Sequence, residues 1–153
     1  MKKIYAVLIL VVILAVGYKF SNAPEAQGNM KDGYYTAEVV EYDHGWKEFL
    51  TIYVNNGKIV TAEYNAKNAS GFIKSWDMKY MRLMNEIDGN YPNRYTRTYA
   101  SALLANQNTG DIDAMSGATN SYHSFKILAD AVIVQALAGD RKVAFVSAPH
   151  EEN

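Results

Sequence analysis

The chain contains no cysteine. That single absence excludes disulfides, thiolate metal sites, iron–sulfur clusters and a lipid-modified N-terminal Cys, so any redox chemistry must use an imported cofactor. Positive charge is also scarce. There are 15 Lys and Arg against 16 Asp and Glu, and three of the cations, Lys2, Lys3 and Lys19, flank an N-terminal apolar run. Without those three the remainder carries a net charge of about −4, with no basic stripe and no interleaving of basic and aromatic residues to neutralise phosphates. Nucleic-acid binding is therefore not expected. Internal repeats and low-complexity tracts are absent too. What remains is 49% apolar and 20% charged, a globular composition with twelve tyrosines, and its length suits one domain.

The run Ile4 to Tyr18 follows two lysines, the pattern of a positive n-region and an apolar h-region. As a helix it would span roughly 22 Å at about 1.5 Å per residue, short of a hydrocarbon core of roughly 30 Å. Phe20 and a snorkelling Lys19 relieve part of the mismatch. Ser21-Asn22-Ala23 has the small residues of a cleavage site, but Pro24 would follow the cut. Residues 1–20 thus read as a membrane anchor or a signal peptide, and the preceding lysines place the domain on the extracytoplasmic side. It would be single-pass in the cell membrane, or secreted if the segment is cut. Residues 21–31, polar with Pro24 and Gly28, read as a linker. Residues 32–139 read as the domain, and 140–153 as a tail.

Tyr34 to Tyr42 is rich in aromatic and β-branched residues and predicts a first strand. Phe49–Val54 and Lys58–Tyr64 both alternate, with Leu50, Ile52 and Val54 on one face and Val60, Ala62 and Tyr64 on the other segment's face. Between them Asn55-Asn56-Gly57 suits a type I′ hairpin. Ser75 is expected to cap a helix bearing Trp76, Tyr80, Leu83, Met84 and Ile87 on one face, stopped by Gly89. Pro92 opens the next helix, whose Tyr91, Tyr95, Tyr99, Ala102 and Leu103 share a face. Asp111 to Met115 reads as a short extended segment. A last helix, Asn120 to Ala138, is apolar nearly all round and ends at Gly139, and Val143 to Val146 predicts a small strand. The fold class is α+β, an antiparallel β-sheet packed against helices.

Chemistry concentrates in Asp113-Ala114-Met115-Ser116-Gly117-Ala118-Thr119, which leads into that last helix. Gly117 and Ala118 leave room for a close approach to the backbone. Ser116 and Thr119 bring hydroxyls to the positive end of a helix dipole. From the residues alone the turn is either a helix cap or a phosphate site. His44, Trp46 and Trp76 are further candidates to line a ligand, with structural roles as the plainer alternative. Asp111, Asp113 and His123 are too loosely spaced for a metal site, and no Ser-His-Asp or paired-carboxylate pattern is present.

Asp-x-x-Ser-Gly-Ala-Thr resembles the flavinylation motif of the FMN-binding domain family, found in subunits of ion-translocating reductases and in secreted electron-transfer lipoproteins. The resemblance extends over roughly Asp32 to Gly139, through Asp32-Gly33-Tyr34, His44-Gly45-Trp46-Lys47, the Asn-Gly hairpin and the helix after the motif. It implies that a flavin transferase moves the FMN moiety of FAD onto Thr119 as a phosphoester, with Asp113, Ser116, Gly117 and Ala118 as recognition residues. It also implies an electron-transfer carrier rather than a stand-alone catalyst, working between a membrane-bound electron donor and a downstream acceptor. Two alternatives stand beside it: a flavin subunit of an ion-translocating reductase complex, and a flavin-free binding or adhesion module of the same fold.

The lysine-flanked run makes topology testable. Protease added to cells whose outer surface has been opened should digest the domain; protection under those conditions would place it in the cytoplasm.

Overall fold

The sheet follows from alternation. In the computed structural model, which describes residues 29–148, Tyr35, Ala37 and Val39 of strand β1 (Gly33–Val39) point into the core, and Leu50, Ile52 and Val54 of β2 (Lys47–Asn55) do the same. The two strands pair antiparallel, Ala37 opposite Leu50 and Tyr35 opposite Ile52. Strand β3 (Lys58–Lys67) pairs antiparallel with β2 through a two-residue turn, in which Asn56 and Gly57 take the positive φ values (52° and 73°) that a type I′ turn requires.

The register of β3 differs from the alternation read in its sequence. Val54 faces Ile59 but Tyr53 faces Thr61, so Val60 is the extra residue of a β-bulge. Ile59 is buried, Val60 is exposed, and Tyr64 and Ala66 return to the core. Gln107 fixes the start of this strand: its amide accepts from Ile59 N–H and donates to Ile59 O.

Three helices follow: α1 (Met78–Asp88), α2 (Pro92–Asn106) and α3 (Thr119–Ala138), with a 3-10 turn at Lys74–Trp76 before the first. Helix α2 packs on β3, and α3 lies across β1 and β2. Phe125, Leu128, Ala129, Val132 and Ala136 of α3 meet the inward residues of the sheet, and Tyr95, Tyr99 and Leu103 of α2 complete the core. Burying each large apolar side chain contributes about 1.5–3 kcal/mol. Gly89 and Gly139 end α1 and α3 in the left-handed conformation. A last strand, β4 (Ala144–Val146), joins the outer edge of β1 in parallel. The fold is α+β, as its sequence predicts. Three strands are antiparallel, and β4 makes the sheet mixed, in the order β3-β2-β1-β4.

Helix α1 departs from expectation. Its cap is Asp77, whose carboxylate accepts from Tyr80 N–H, while Ser75 is buried and bonded to Asn65 Nδ2. Of the apolar face read along it, Trp76, Leu83 and Ile87 are exposed, and only Met81 is fully buried in the helix. The reason is position: among the helices and strands α1 packs chiefly on α2 and the preceding turn and not on the sheet, and Trp76 lies in the 3-10 turn, off the helical period. The segment Asp111 to Met115 is not a strand either. Side chains hold it instead, with Asn106 Nδ2 donating to Asp111 O and the Tyr122 hydroxyl to Ile112 O. Among the described residues, no helix is long and apolar enough to cross a membrane. The expected anchor 1–20, most of the linker and His150 lie outside the described residues.

The bulge has a direct test. Ile59→Ala should cost about 2–5 kcal/mol in urea unfolding, whereas Val60→Ala should stay within about 0.5 kcal/mol. Equal costs at the two positions would contradict the register.

Candidate functional site

The turn before α3 is built from three directions. Gly117 takes φ +74°, and a Cβ there would lie 2.6 Å from the Asp88 carbonyl oxygen and 3.3 Å from the Asn90 Cβ. Its smallness therefore serves packing against the α1–α2 junction, rather than the approach of a ligand expected from its sequence. Buried Asn90 donates from Nδ2 to Ser116 O at 2.9 Å. The hydroxyl of Tyr99, from α2, accepts from Met115 N–H at 3.0 Å and donates to Ala118 O at 3.3 Å. Ala118 N–H in turn donates to Met115 O, closing the turn.

Ala118 is the residue before the helix, with no side-chain capping bond. Thr119 is the first helical residue and is exposed, so the capping role read for its hydroxyl is not what it does. Asp113, Ser116 and Gly117 are exposed as well, whereas Ala118 is buried against the core. The first helical bond runs from Tyr122 N–H to Ala118 O. The amides of Thr119, Asn120 and Ser121 thus have no acceptor within the helix, and the positive end of the macrodipole lies on them.

Asn120 and Ser121 open onto a cleft of about 750 Å³. The opposite wall is the β1–β2 connection, where His44 and Gly45 turn the chain with positive φ and Asp43 bridges to Trp46. Trp46 is half-buried beside Tyr80, with ring centroids 6.0 Å apart. Exposed His44 places Nδ1 2.8 Å from the Asp43 carboxylate. Glu41, Lys74 and His123 also line it. The fold therefore brings His44 and Trp46 across from the residues that follow Thr119. Trp76 is not part of the lining; it stands exposed against Phe72.

Glu48, on the same inward phase as Leu50, Ile52 and Val54, forms the floor. The Tyr64 hydroxyl lies 2.9 Å and the Ser121 hydroxyl 3.1 Å from its Oε1. Burial pushes the Glu48 carboxyl above the ordinary glutamate range, against the lowering influence of Ser124, Lys74, Tyr64 and Ser121. Burial likewise pulls the Lys74 ammonium down, opposed by Glu48 and Asp43. Burial and the neighbouring Glu48 push Tyr64 well up. Sequence reasoning passed over Glu48, although a carboxylate at an inward position of an alternating strand is a visible signal. A separate cluster, Glu38 between Lys67 and Lys47, lies on the far face of the sheet.

No family model matches this chain. It is similar to the 15 kDa lipoprotein of Treponema pallidum (strain Nichols), with 34% identity over 115 residues, covering 74% of this chain and 82% of that protein. A crystal structure of a Clostridium perfringens protein superposes with a TM-score of 0.74 at 37% identity, covering 78% of this chain and 99% of that one.

The turn separates packing from exposed chemistry. Gly117→Val should destabilise strongly, since the left-handed φ alone costs about 1–2 kcal/mol before the contact with Asp88 is relieved. Thr119→Ala should stay within about 0.5 kcal/mol. Urea unfolding of both variants checks this, and a neutral Gly117→Val would refute the packing role.

Proposed function

The chain belongs to the family of the 15 kDa lipoprotein of Treponema pallidum, and from that premise we propose that it is a membrane-held, extracytoplasmic electron-transfer protein carrying FMN as a phosphoester on Thr119. The observation that carries this reading is an exposed threonine hydroxyl at an uncapped helix N-terminus, one residue from a cleft lined by Asn120 and Ser121. The motif resemblance supplies the chemistry. A flavin transferase would join the Thr119 oxygen to the FMN phosphate of FAD, with AMP as the leaving group and the hydroxyl proton released.

The residues present fit that group. An open cleft of about 750 Å³ lies within the range of roughly 300–1,000 Å³ for small-molecule sites. The free amides of Thr119, Asn120 and Ser121 suit the single negative charge of a phosphodiester. Trp46 and Tyr42 offer aromatic surface, and His44, His123 and Lys74 offer donors. The isoalloxazine, when bound, supplies one- and two-electron chemistry. The chain's part is to hold the ring between the β1–β2 connection and the start of α3, and to shield its inner edge from water.

Placement favours a carrier. Asn29 lies beside Gly57 of the β2–β3 turn, whereas the cleft is built at the other end of the sheet, around Val39 to Glu48. A seven-residue strand separates the two ends by roughly 23 Å at about 3.3 Å per residue. The lysine-flanked run would hold the domain at the membrane, and the open cleft would serve both a membrane-bound donor and a downstream acceptor. The family relative's designation as a lipoprotein supports a membrane-associated setting. One observation favours the flavin-free binding module: Trp76, Leu83 and Ile87 are large apolar side chains left exposed.

Covalent attachment is the test. After co-expression with a flavin transferase, denatured protein should keep a yellow fluorescent band on a gel, and its intact mass should exceed the polypeptide by one FMN less water. Thr119→Ser should retain the band and Thr119→Ala should lose it with circular dichroism unchanged. An unmodified wild-type mass would remove the reading and leave the binding module.

A further inference from the structure

The hydroxyl of Tyr64 has one hydrogen and two neighbours within bonding distance. The carbonyl oxygen of Ser121 lies 2.7 Å away and Oε1 of Glu48 lies 2.9 Å away. A backbone carbonyl can only accept, so the shorter contact takes the Tyr64 proton. The contact to Glu48 is then a hydrogen bond only if Glu48 itself carries a proton and donates it to the Tyr64 oxygen. An ionised Glu48 would leave two acceptors facing one hydrogen at a buried site, at a considerable desolvation cost. The Ser121 hydroxyl, 3.1 Å from the same oxygen, donates to it in either state.

The surroundings agree. Lys74, from the 3-10 turn, is the cation whose field reaches Glu48, and its own ammonium is disfavoured by burial. Tyr95 of α2 and Tyr80 of α1 face it as neutral phenols held above their ordinary range by burial. Asp43 and Glu41 on the β1–β2 connection add negative charge across the cleft, with His44 and His123 nearer its mouth. Burial raises the Glu48 carboxyl in keeping with the hydrogen-bond count.

We propose that Glu48 is held as a neutral carboxylic acid on the cleft floor and gives its proton to the isoalloxazine ring as the ring is reduced. This rests on the cleft being the flavin site. In the step, two electrons arrive from an external reductant, the O–H bond of Glu48 breaks and an N–H bond forms on the ring. The Glu48 carboxylate then regains a proton from water entering past His44 and His123. Until it does, the Ser121 hydroxyl still donates to it, and Tyr64 stabilises the charge by turning its hydroxyl toward it.

Two measurements separate this inference from the reading beneath it. The first uses flavin-free protein with carbon-13-labelled glutamate, followed by NMR as pH is raised. The Glu48 carboxyl should titrate above every other glutamate, and its signal should be missing from Glu48→Gln. The sign follows for stability: a raised acid stabilises the fold fully below the ordinary glutamate value, roughly 4.3, and that contribution is lost as pH rises through the folded value. Glu48→Gln, neutral at every pH, should flatten this decline. An ordinary titration of Glu48 overturns the inference whether or not flavin is attached. The second follows dithionite reduction of FMN-loaded protein by its absorption. Glu48→Gln should be slower by roughly 10²-fold or more, and Glu48→Asp should recover part of the rate. A raised titration with wild-type reduction in Glu48→Gln would overturn the proton transfer. Wild-type protein that takes no FMN would remove the transfer step together with the proposed function, while the titration would still decide the protonation of Glu48.

Discussion

The ring of Tyr99 stacks on Phe125 with centroids 5.2 Å apart and touches Tyr64, Tyr95 and Tyr122, while its hydroxyl holds Met115 N–H and Ala118 O together. Much of the candidate site depends on that one side chain. It is buried to 1% exposure, so its position is dictated by close packing, and its hydroxyl transmits that position to the turn before α3. The turn sets where Thr119 emerges, and α3, locked against the sheet by Phe125, sets where Ser121 meets Glu48. Exposed chemistry is thereby placed by buried aromatics. Tyr35, Tyr64 and Tyr122 work in the same way: each ring packs as phenylalanine would while its hydroxyl donates to a backbone carbonyl.

Polar groups sit unusually deep on the cleft side of the core. Glu48, Tyr64, Ser121, Ser124 and Lys74 meet where β2, β3, the 3-10 turn and α3 converge. An all-apolar floor would be simpler to stabilise, because half-buried charges pay desolvation that their partners only partly return. Retaining a carboxyl there, on the inward phase of an otherwise apolar strand, breaks a local rule of the kind that functional sites break. The left-handed residues His44 and Gly45 on the opposite wall belong to the same pattern, since they turn the β1–β2 connection sharply enough to bring Trp46 to the cleft.

Alternation predicts β1 and β2 correctly, Asn56-Gly57 predicts the hairpin, and Gly89 and Gly139 stop their helices where the sequence says they should. The buried face of α2 and the apolar α3 are equally plain in the spacing of Tyr95, Tyr99 and Leu103 and of Phe125, Leu128 and Val132. These features are legible because each rests on forces acting within a few residues: pleat, helical period, and the backbone freedom of glycine. The motif at 113–119 is legible as a pattern of residue types, and so is its position before a helix.

Tertiary contacts decided the rest. Val60 leaves the core only because β2 supplies one partner where β3 has two residues. Leu83 and Ile87 of α1 stay in water because no strand packs against them. The tail strand runs parallel because α3 returns the chain to the free edge of β1. Gly117 is small because Asp88, far away in sequence, presses on it. Glu48 meets a hydroxyl 73 residues distant, that of Ser121. Local rules carry no term for such separations, so the sequence by itself determined the elements and the exposed hydroxyl, and only packing decided the cleft that gives that hydroxyl a neighbour.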